Sequence, residues 1–106
     1  MSPHRLHFDV IQDFKDKETE DIYNGIRSKN ALKRLPPDLW RVVYRKFYVL
    51  DNAISLNDLR SPPNNRLEAL KGDRKGQYSI RVNDQYRMCF YWTHLGPGSV
   101  EIVDYH

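Results

Sequence analysis

The chain has 106 residues, a length typical of one domain with a single modest core. Hydrophobic residues make up 40% of it and charged residues 29%, a balance typical of a globular protein and not of a disordered chain. No apolar run approaches the ~18 residues that a membrane span needs, and the N-terminus lacks a secretory signal pattern. The single cysteine, Cys89, excludes an internal disulfide. We therefore expect one soluble, cytoplasmic domain over residues 1–106, with no membrane partner.

The net charge of +3 is unevenly distributed along the chain. Residues 27–46 contain seven Lys or Arg side chains against Asp38 alone, which gives this segment a charge of +6. A basic block of this kind suits a polyanionic partner such as a nucleic acid. It is equally compatible with a solvated helix face, so the charge alone does not decide between the two.

The first elements are a short strand and a helix. Residues 10–14 alternate in part and are compatible with an edge strand. Asp16 can cap a helix that follows it, with acidic residues favourably placed near the positive end of the helix. Ile22 and Ile26 would face the core, and Gly25 is a candidate C-terminal stop.

A second helix is the most regular pattern in the sequence. Residues 27–35 are a basic connector without an assigned structure, and Pro36, Pro37 and Asp38 then favour a helix start. Five apolar residues recur at spacings of three and four and predict one buried helix face: Leu39, Val43, Phe47, Leu50 and Ile54. Pro62 and Pro63 end this helical half.

The second half of the chain reads as strands separated by turns. The predicted strands are residues 66–70, 77–82, 85–92 and 99–105, and the predicted turns are residues 71–76, 83–84 and 96–98. Helices followed by a meander predict an α+β fold, with two N-terminal helices packed on one face of a small, mainly antiparallel sheet.

The hairpin at residues 83–85 sets which side chains share a face. A two-residue loop would place Arg81 beside Met88, at a substantial desolvation cost. A three-residue loop instead pairs Val82 with Tyr86 and Arg81 with Arg87, and keeps the apolar residues on one side. We therefore expect the three-residue loop.

This register predicts a polar face that carries Arg81, Arg87 and Tyr91. Two arginines that oppose each other on neighbouring strands favour a nearby anion. Arginine binds phosphate through paired donors, so one interpretation is a phosphate clamp. The alternative is internal neutralisation by one of three carboxylates: Asp73, Asp84 or Asp104.

Three segments resemble one family closely: NRLEALKGDR at 65–74, GQYSIRVNDQYR at 76–87 and VEIVDYH at 100–106. They are similar to the HigB-type toxins of the RelE/ParE superfamily, and residues 58–63 (DLRSPP) fit a frequent variant of that family. The resemblance begins near residue 16 and leaves residues 1–7 outside it, as a flexible or divergent N-terminus.

The resemblance implies a function as well as the fold. Toxins of this type belong to type II toxin–antitoxin systems and cleave mRNA in the ribosomal A site, which inhibits translation and growth. The implied partners are the ribosome, A-site mRNA and a HigA-like helix-turn-helix antitoxin that alone contacts operator DNA. The implied enzyme is a metal-independent endoribonuclease with no cofactor.

RNA cleavage without a metal needs a base, an acid and cations that stabilise the phosphorane. Histidine suits proton transfer near neutral pH, so His106 is the first candidate for general base or acid. Asp104 would orient the imidazole of His106 from the same strand face. Lys71, Arg81 and Arg87 are candidates for stabilising the transition state. RNA-binding candidates are Arg74, Lys75, Tyr91 and Tyr105.

Glu68 is a departure from the family pattern. Some HigB-type toxins have a catalytic histidine at this place, before the Leu-Lys-Gly-Asp turn, where this chain has glutamate. A carboxylate can act as a base but suits neutral pH less well than imidazole. Glu68 is therefore a catalytic candidate, and its presence suggests a milder toxin.

Two other functions remain open on the sequence. A ParE-like toxin shares the fold but binds gyrase and cuts no RNA, and fold alone does not decide function. A degenerate toxin would retain only antitoxin binding and operon regulation. The terminal Asp-Tyr-His and the paired arginines favour the nuclease, because a gyrase-binding protein needs neither.

Overall fold

A computed structural model describes residues 10–105, so His106 and the N-terminal residues 1–7 lie outside the described part of the chain. The helices are α1 (Lys17–Tyr23), α2 (Lys29–Arg34) and α3 (Trp40–Asn52). The strands are β1 (Glu68–Ala69), β2 (Gln77–Arg81), β3 (Tyr86–Thr93) and β4 (Gly96–Asp104). Short 3-10 helices lie at Pro37–Leu39, Leu56–Arg60, Pro63–Asn65 and Gly72–Arg74. The predicted α+β class is confirmed.

Helix α1 begins and ends where the sequence predicts. The carboxylate of Asp16 accepts a hydrogen bond of 2.8 Å from the backbone N–H of Thr19, which is an N-cap. Gly25 follows the last turn with a φ of +74°, a left-handed conformation that glycine adopts without strain. Ile22 is fully buried as predicted. Ile26 lies beyond the helix and is 48% exposed, so its predicted inward position is wrong.

The segment from 27 to 35, left without a structure by the sequence, contains helix α2. Ser28 caps it: its Oγ accepts a hydrogen bond of 3.2 Å from the backbone N–H of Ala31. Only Ala31 of this six-residue helix is buried. A helix this short carries too few apolar positions to produce a periodic signal.

Helix α3 carries most of the predicted apolar stripe. Val43, Phe47 and Leu50 are buried, and Trp40 adds a fourth buried side chain from the first turn. The helix ends at Asn52, two residues before Ile54, which is therefore 91% exposed and not part of the stripe as predicted.

The four strands form one antiparallel sheet in the order β1-β2-β3-β4. Arg81 pairs with Arg87, and the backbone N–H of Val82 donates to the carbonyl of Tyr86. The three-residue loop at 83–85 and its register are therefore confirmed. Five residues of the predicted apolar face belong to the core: Ile80, Val82, Tyr86, Met88 and Phe90.

Strand β4 begins earlier than predicted, because the turn lies at residues 94–95 and residues 96–98 are already in the strand. Gly96 has a φ of +125°, and a side chain there would come within 2.6 Å of the Val10 carbonyl oxygen. The glycine thus permits close approach of residues 10–14, which run beside β4. This segment makes an isolated parallel bridge, Phe14 to Val100, and not the edge strand expected from the sequence.

The N-terminal half packs on the apolar face of the sheet. The Oγ1 of Thr19 in α1 accepts a buried hydrogen bond of 3.2 Å from the backbone N–H of Ile102 in β4. The guanidinium of Arg34 in α2 donates to the Ile102 carbonyl and to the Asp16 carboxylate. The opposite side of the sheet is consequently left for polar side chains. None of the helices in the described part of the chain is long and apolar enough to cross a membrane.

Asp21 in α1 is expected to make stability depend on pH at the acidic end. Burial raises the pKa of this carboxyl, but hydrogen bonds from Lys17 and Ser28 outweigh it, so the pKa lies below its ordinary value. Because the pKa of Asp21 is lower in the folded state, its carboxylate stabilises the protein at pH values above the unfolded pKa of about 4. This stabilisation is lost as the pH falls through the folded-state pKa. Asp21→Asn should therefore flatten the stability profile between about pH 5 and pH 3.

Urea unfolding at several pH values measures this effect. Glu20→Gln, which removes an exposed carboxylate one residue away, is the matched control and should leave the profile close to that of the wild type. If the free energy of unfolding falls with decreasing pH as steeply in Asp21→Asn as in Glu20→Gln and the wild type, the role of Asp21 is contradicted.

Candidate active site

The side of the sheet away from the helices carries a row of functional groups. Register places Glu68, Ser79, Cys89 and Glu101 opposite one another across the four strands. Arg87 extends from the same side of β3 as Cys89, two residues away. We call this side the polar face. Ser79 and Cys89 are nevertheless fully buried.

Arg87 is held in place by oxygen atoms on three sides. Its Nε donates a hydrogen bond of 2.7 Å to the Ser79 Oγ, and its Nη2 donates one of 2.6 Å to the carbonyl of Arg66. The Glu68 carboxylate lies 3.6 Å from Nε. The Arg87 side chain is only 12% exposed, whereas that of Glu68 is 54% exposed. The guanidinium is thus fixed mainly by neutral oxygens, and Glu68, its acidic partner among residues 10–105, is screened by solvent.

Tyr105 lies against Arg87 at the end of the sheet. The Cζ of Arg87 is 5.9 Å from the centre of the Tyr105 ring, a cation–π distance. A shallow cavity of about 380 Å³ opens beside them, lined by Arg74, Val103, Asp104 and Tyr105. This depression therefore brings the Tyr105 phenol and the Arg74 guanidinium together, and Arg87 lies against the Tyr105 ring.

Arg74 reaches this depression from the 3-10 turn between β1 and β2. Its Nη1 donates to the Glu101 carboxylate at 3.0 Å and to the Gln77 side-chain oxygen at 3.2 Å. Since Gln77 is on β2 and Glu101 on β4, the Arg74 side chain bridges the sheet across β3. The ion pair with Glu101 also raises the pKa of Arg74, so the guanidinium stays charged.

Asp104 borders the depression from the other side of the sheet. It pairs with Tyr86, and strand alternation sets it opposite to its neighbour Val103, which pairs with Arg87. Its carboxylate accepts a hydrogen bond of 3.1 Å from the side-chain amide of Gln85. Asp104 and Tyr105 therefore approach the end of β4 from different sides.

The side chain of Arg81 points away from that of Arg87, although the Cα atoms of the two residues are paired. Its guanidinium forms an ion pair with Asp84, which is one of the three carboxylates expected to neutralise it. It also lines a second cavity, of about 340 Å³, together with Arg45 and Lys46 of α3. We call this cavity the basic pocket.

The remaining predicted residues are dispersed. Lys71 and Lys75 are exposed in the turn before β2. Tyr91 is 43% exposed and pairs with Gln77 and Gly98, toward the far end of the polar face. The structure therefore brings Glu68, Arg74, Arg87 and Tyr105 together on the polar face, whereas Asp104 reaches the end of β4 from the other side of the sheet. The catalytic role predicted for His106 falls outside the described residues.

Cys89 is unsuited to act as a nucleophile. Burial raises the pKa of its thiol to about 11, against the smaller opposing effect of Arg74. The thiol is thus protonated at neutral pH, and only a thiolate reacts readily. Among residues 10–105, no group of three or more His, Cys, Asp or Glu side chains is arranged to hold a metal ion.

Sequence reasoning missed the residues that position the arginines. Ser79 and the Arg66 carbonyl fix Arg87, and Glu101 with Gln77 fixes Arg74. The confirmed hairpin register already placed Ser79 and Gln77 on the polar face, so that register was the available signal. Arg45 and Lys46 were seen only as part of a basic block, with no indication of their neighbours.

Comparison with known proteins decides the family. A sequence model described as the RelE-like toxin HigB of type II toxin–antitoxin systems matches residues 12–106. The chain belongs to this HigB-like family. Toxin HigB-1 of Vibrio cholerae serotype O1 is 42% identical to it, in a match that covers 80% of this chain and 94% of the relative. An uncharacterized protein of Haemophilus influenzae is 44% identical, over 69% of this chain and 72% of the relative.

Membership establishes the broad function of this HigB-like chain. It is a RelE-like toxin of a type II toxin–antitoxin system, and its system includes an antitoxin as partner. The resemblance noted in the sequence is therefore confirmed.

Proposed function

We propose that this HigB-like chain is a ribosome-dependent mRNA endonuclease. The observation that carries the proposal is the setting of Arg87 on the polar face. Its guanidinium is held by Ser79 and Arg66 oxygens, stacks against Tyr105, and has its charge only partly compensated by a solvent-exposed Glu68. Such a fixed cation, in contact with a ring that lines an open depression, suits the charge that develops on a phosphorane.

The proposed reaction is attack of the RNA 2′-oxygen on the adjacent phosphorus. The bond from O2′ to phosphorus forms as the bond to O5′ breaks, giving a 2′,3′-cyclic phosphate and a 5′-hydroxyl. A base accepts the 2′-OH proton and an acid delivers a proton to O5′. His106 is proposed for one of these two steps, with Asp104 orienting its imidazole.

The other groups of the polar face are proposed to bind and orient the RNA. Arg87 contacts the scissile phosphate, with Lys71 as a further candidate for stabilising its charge. Arg81 was predicted for the same role, but its side chain turns toward Asp84, Arg45 and Lys46 and not toward Arg87. The exposed rings of Tyr91 and Tyr105 suit base stacking, a contact worth ~1–3 kcal/mol. Arg74 and Lys75 suit the RNA backbone. Glu68 is proposed as a supporting group for Arg87, besides its candidacy as a base.

The proposed partners are the ribosome with its A-site mRNA and a HigA-like helix-turn-helix antitoxin. The antitoxin would contact operator DNA, and the toxin would reach DNA only through it.

We further propose that the reaction takes place in the cytoplasm and needs no metal. A sulfur atom in place of a nonbridging oxygen of the scissile phosphate should then slow cleavage equally with Mg²⁺ and Mn²⁺.

Mapping of RNA 5′ ends after brief induction tests the function in cells. A translated reporter should acquire new ends at defined codon positions, and the same reporter with a blocked start codon should not. Growth arrest with DNA damage signalling and no new ends would contradict the nuclease and indicate a gyrase-directed toxin. Normal growth without antitoxin would indicate a toxin that has lost its activity.

A further inference from the structure

The basic pocket lies apart from the polar-face depression and is not explained by it. It is formed where α3, the end of β2 and the segment of residues 62–65 meet. Its lining combines three cations with small apolar and amide groups: Arg45, Lys46 and Arg81 with Val42, Val49 and Asn64. Of the described residues that line it, none is acidic. The pocket therefore concentrates positive charge in a concave space.

Lys46 is anchored at the pocket by a buried amide. Its Nζ donates a hydrogen bond of 2.7 Å to the Oδ1 of Asn65, a fully buried residue. The Asn65 amide nitrogen donates in turn to the carbonyls of Leu59 and Ser61 at 3.2 and 3.3 Å. One ammonium donor is thus used to fix Lys46, while an ammonium group has three donors in total.

The three cations of the basic pocket repel one another. Burial lowers the pKa of Lys46, and the charges of Arg81 and Arg45 lower it further. Asp84 offsets part of the Arg81 charge, but its side chain is fully exposed and such a pair is screened by water. A bound anion would relieve the repulsion among all three cations at once.

We propose that the basic pocket binds a backbone phosphate of RNA, as a second contact outside the polar-face depression. The inference rests on the proposed nuclease function and adds a binding subsite to it. Arg81 lies at the end of β2, paired in register with Arg87, so one strand of RNA passing over this edge could contact both arginines. Phosphate contacts of this kind fix the register of a nucleic acid without reading its sequence. The RNA is either the mRNA beside the cleavage site or ribosomal RNA.

Equilibrium binding of the full chain to two probes tests the subsite. One probe is a labelled single-stranded RNA with 2′-O-methyl riboses, which block cleavage, and the other is a programmed ribosome. Lys46→Gln keeps a donor for Asn65 but removes the charge, and Arg45→Gln removes a charge from an exposed side chain. Arg41→Gln, one turn earlier on the exposed side of α3, is the matched control.

We expect Lys46→Gln and Arg45→Gln each to weaken binding roughly tenfold. The slope of log Kd against log salt should decrease by about 0.7 for each lost phosphate contact. Arg41→Gln should change both quantities by much less. Weaker binding to both probes would assign the phosphate to mRNA, and weaker binding to the ribosome alone would assign it to ribosomal RNA.

Several results would overturn the subsite while leaving the nuclease function intact. The first such result is that Lys46→Gln and Arg45→Gln cleave mRNA and bind RNA as well as Arg41→Gln does. Another is unchanged RNA binding with loss of antitoxin inhibition, which would make the pocket a protein-docking site. A wild-type chain that binds neither probe and cleaves no mRNA would overturn the proposed function itself.

Discussion

Replacing Arg87 with lysine is expected to slow mRNA cleavage by about 10²–10³-fold, the usual effect of removing one well-placed donor to a developing charge. Lysine preserves the charge but cannot donate to Ser79 and the Arg66 carbonyl in the planar arrangement that now fixes Arg87. The lysine ammonium would be free to move away from the Tyr105 ring. Single-turnover cleavage on programmed ribosomes measures the effect, and growth arrest on induction should be lost in parallel.

A matched substitution separates this effect from a general loss of charge. Arg60→Lys changes an exposed arginine whose Nε donates to the nearby Asn57 side chain, away from the polar face. Its cleavage rate should stay close to that of the wild type. A thermal unfolding curve for Arg87→Lys near that of the wild type would show that the variant is folded. Equal rates for the two variants would contradict the role assigned to Arg87.

Replacing Asn65 with leucine is expected to destabilise the protein by about 2–4 kcal/mol. Asn65 is fully buried and satisfies the carbonyls of Leu59 and Ser61 as well as the Lys46 ammonium. Leucine has a similar volume but leaves all three polar groups without this partner, and an unsatisfied buried group costs about 1–3 kcal/mol. The melting temperature should fall by roughly 10–25 °C.

The exposed neighbour Asn64 provides the control for stability. Asn64→Leu should shift the melting temperature by no more than a few degrees, because surface substitutions usually change stability by about 0.5 kcal/mol or less. A similar, small shift in both variants would show that the Asn65 hydrogen bonds contribute little to the fold.

The register of the β2–β3 hairpin was predictable because the alternative register would cost a large desolvation free energy. Placing Arg81 on the side of Met88 and Phe90 would bury an unpaired guanidinium, so only one hairpin register was acceptable. That register is observed, with Arg81 opposite Arg87. Helix α3 was predictable for a similar reason, since its apolar residues recur with a helical period.

The short elements could not be read from periodicity. Helix α2 buries only Ala31 and depends on the Ser28 cap, whose Oγ also donates to the buried Asp21 carboxylate. Ile54 fits the α3 period but lies beyond the end of the helix at Asn52. Gly96 looked like a turn residue, whereas its role is to admit the backbone of Val10 beside β4. The first two depend on local caps and helix ends that leave no periodic signal, and the third depends on a contact distant in sequence.

The sequence predicted which residues belong to the candidate site, but not where their side chains lie relative to one another. Alternation assigned Arg87 and Arg81 to one face, but it did not reveal that Arg87 lies against Tyr105 while Arg81 turns toward Arg45 and Lys46. The position that a side chain takes depends on residues of other helices and strands that pack against it. The consequence is two separate cationic surfaces, one proposed for catalysis and one for binding.

Cleavage of mRNA on purified ribosomes with a defined A-site codon tests the central claim most directly. Wild type, Arg87→Lys and His106→Ala would be compared under single-turnover conditions, with the same mRNA free of ribosomes as a further control. The account predicts cleavage within the A-site codon by the wild type only when the mRNA is on the ribosome, and a loss of about 100-fold or more in both variants. Intact ribosome-bound mRNA with the wild type, or equal cleavage by all three proteins, would contradict it.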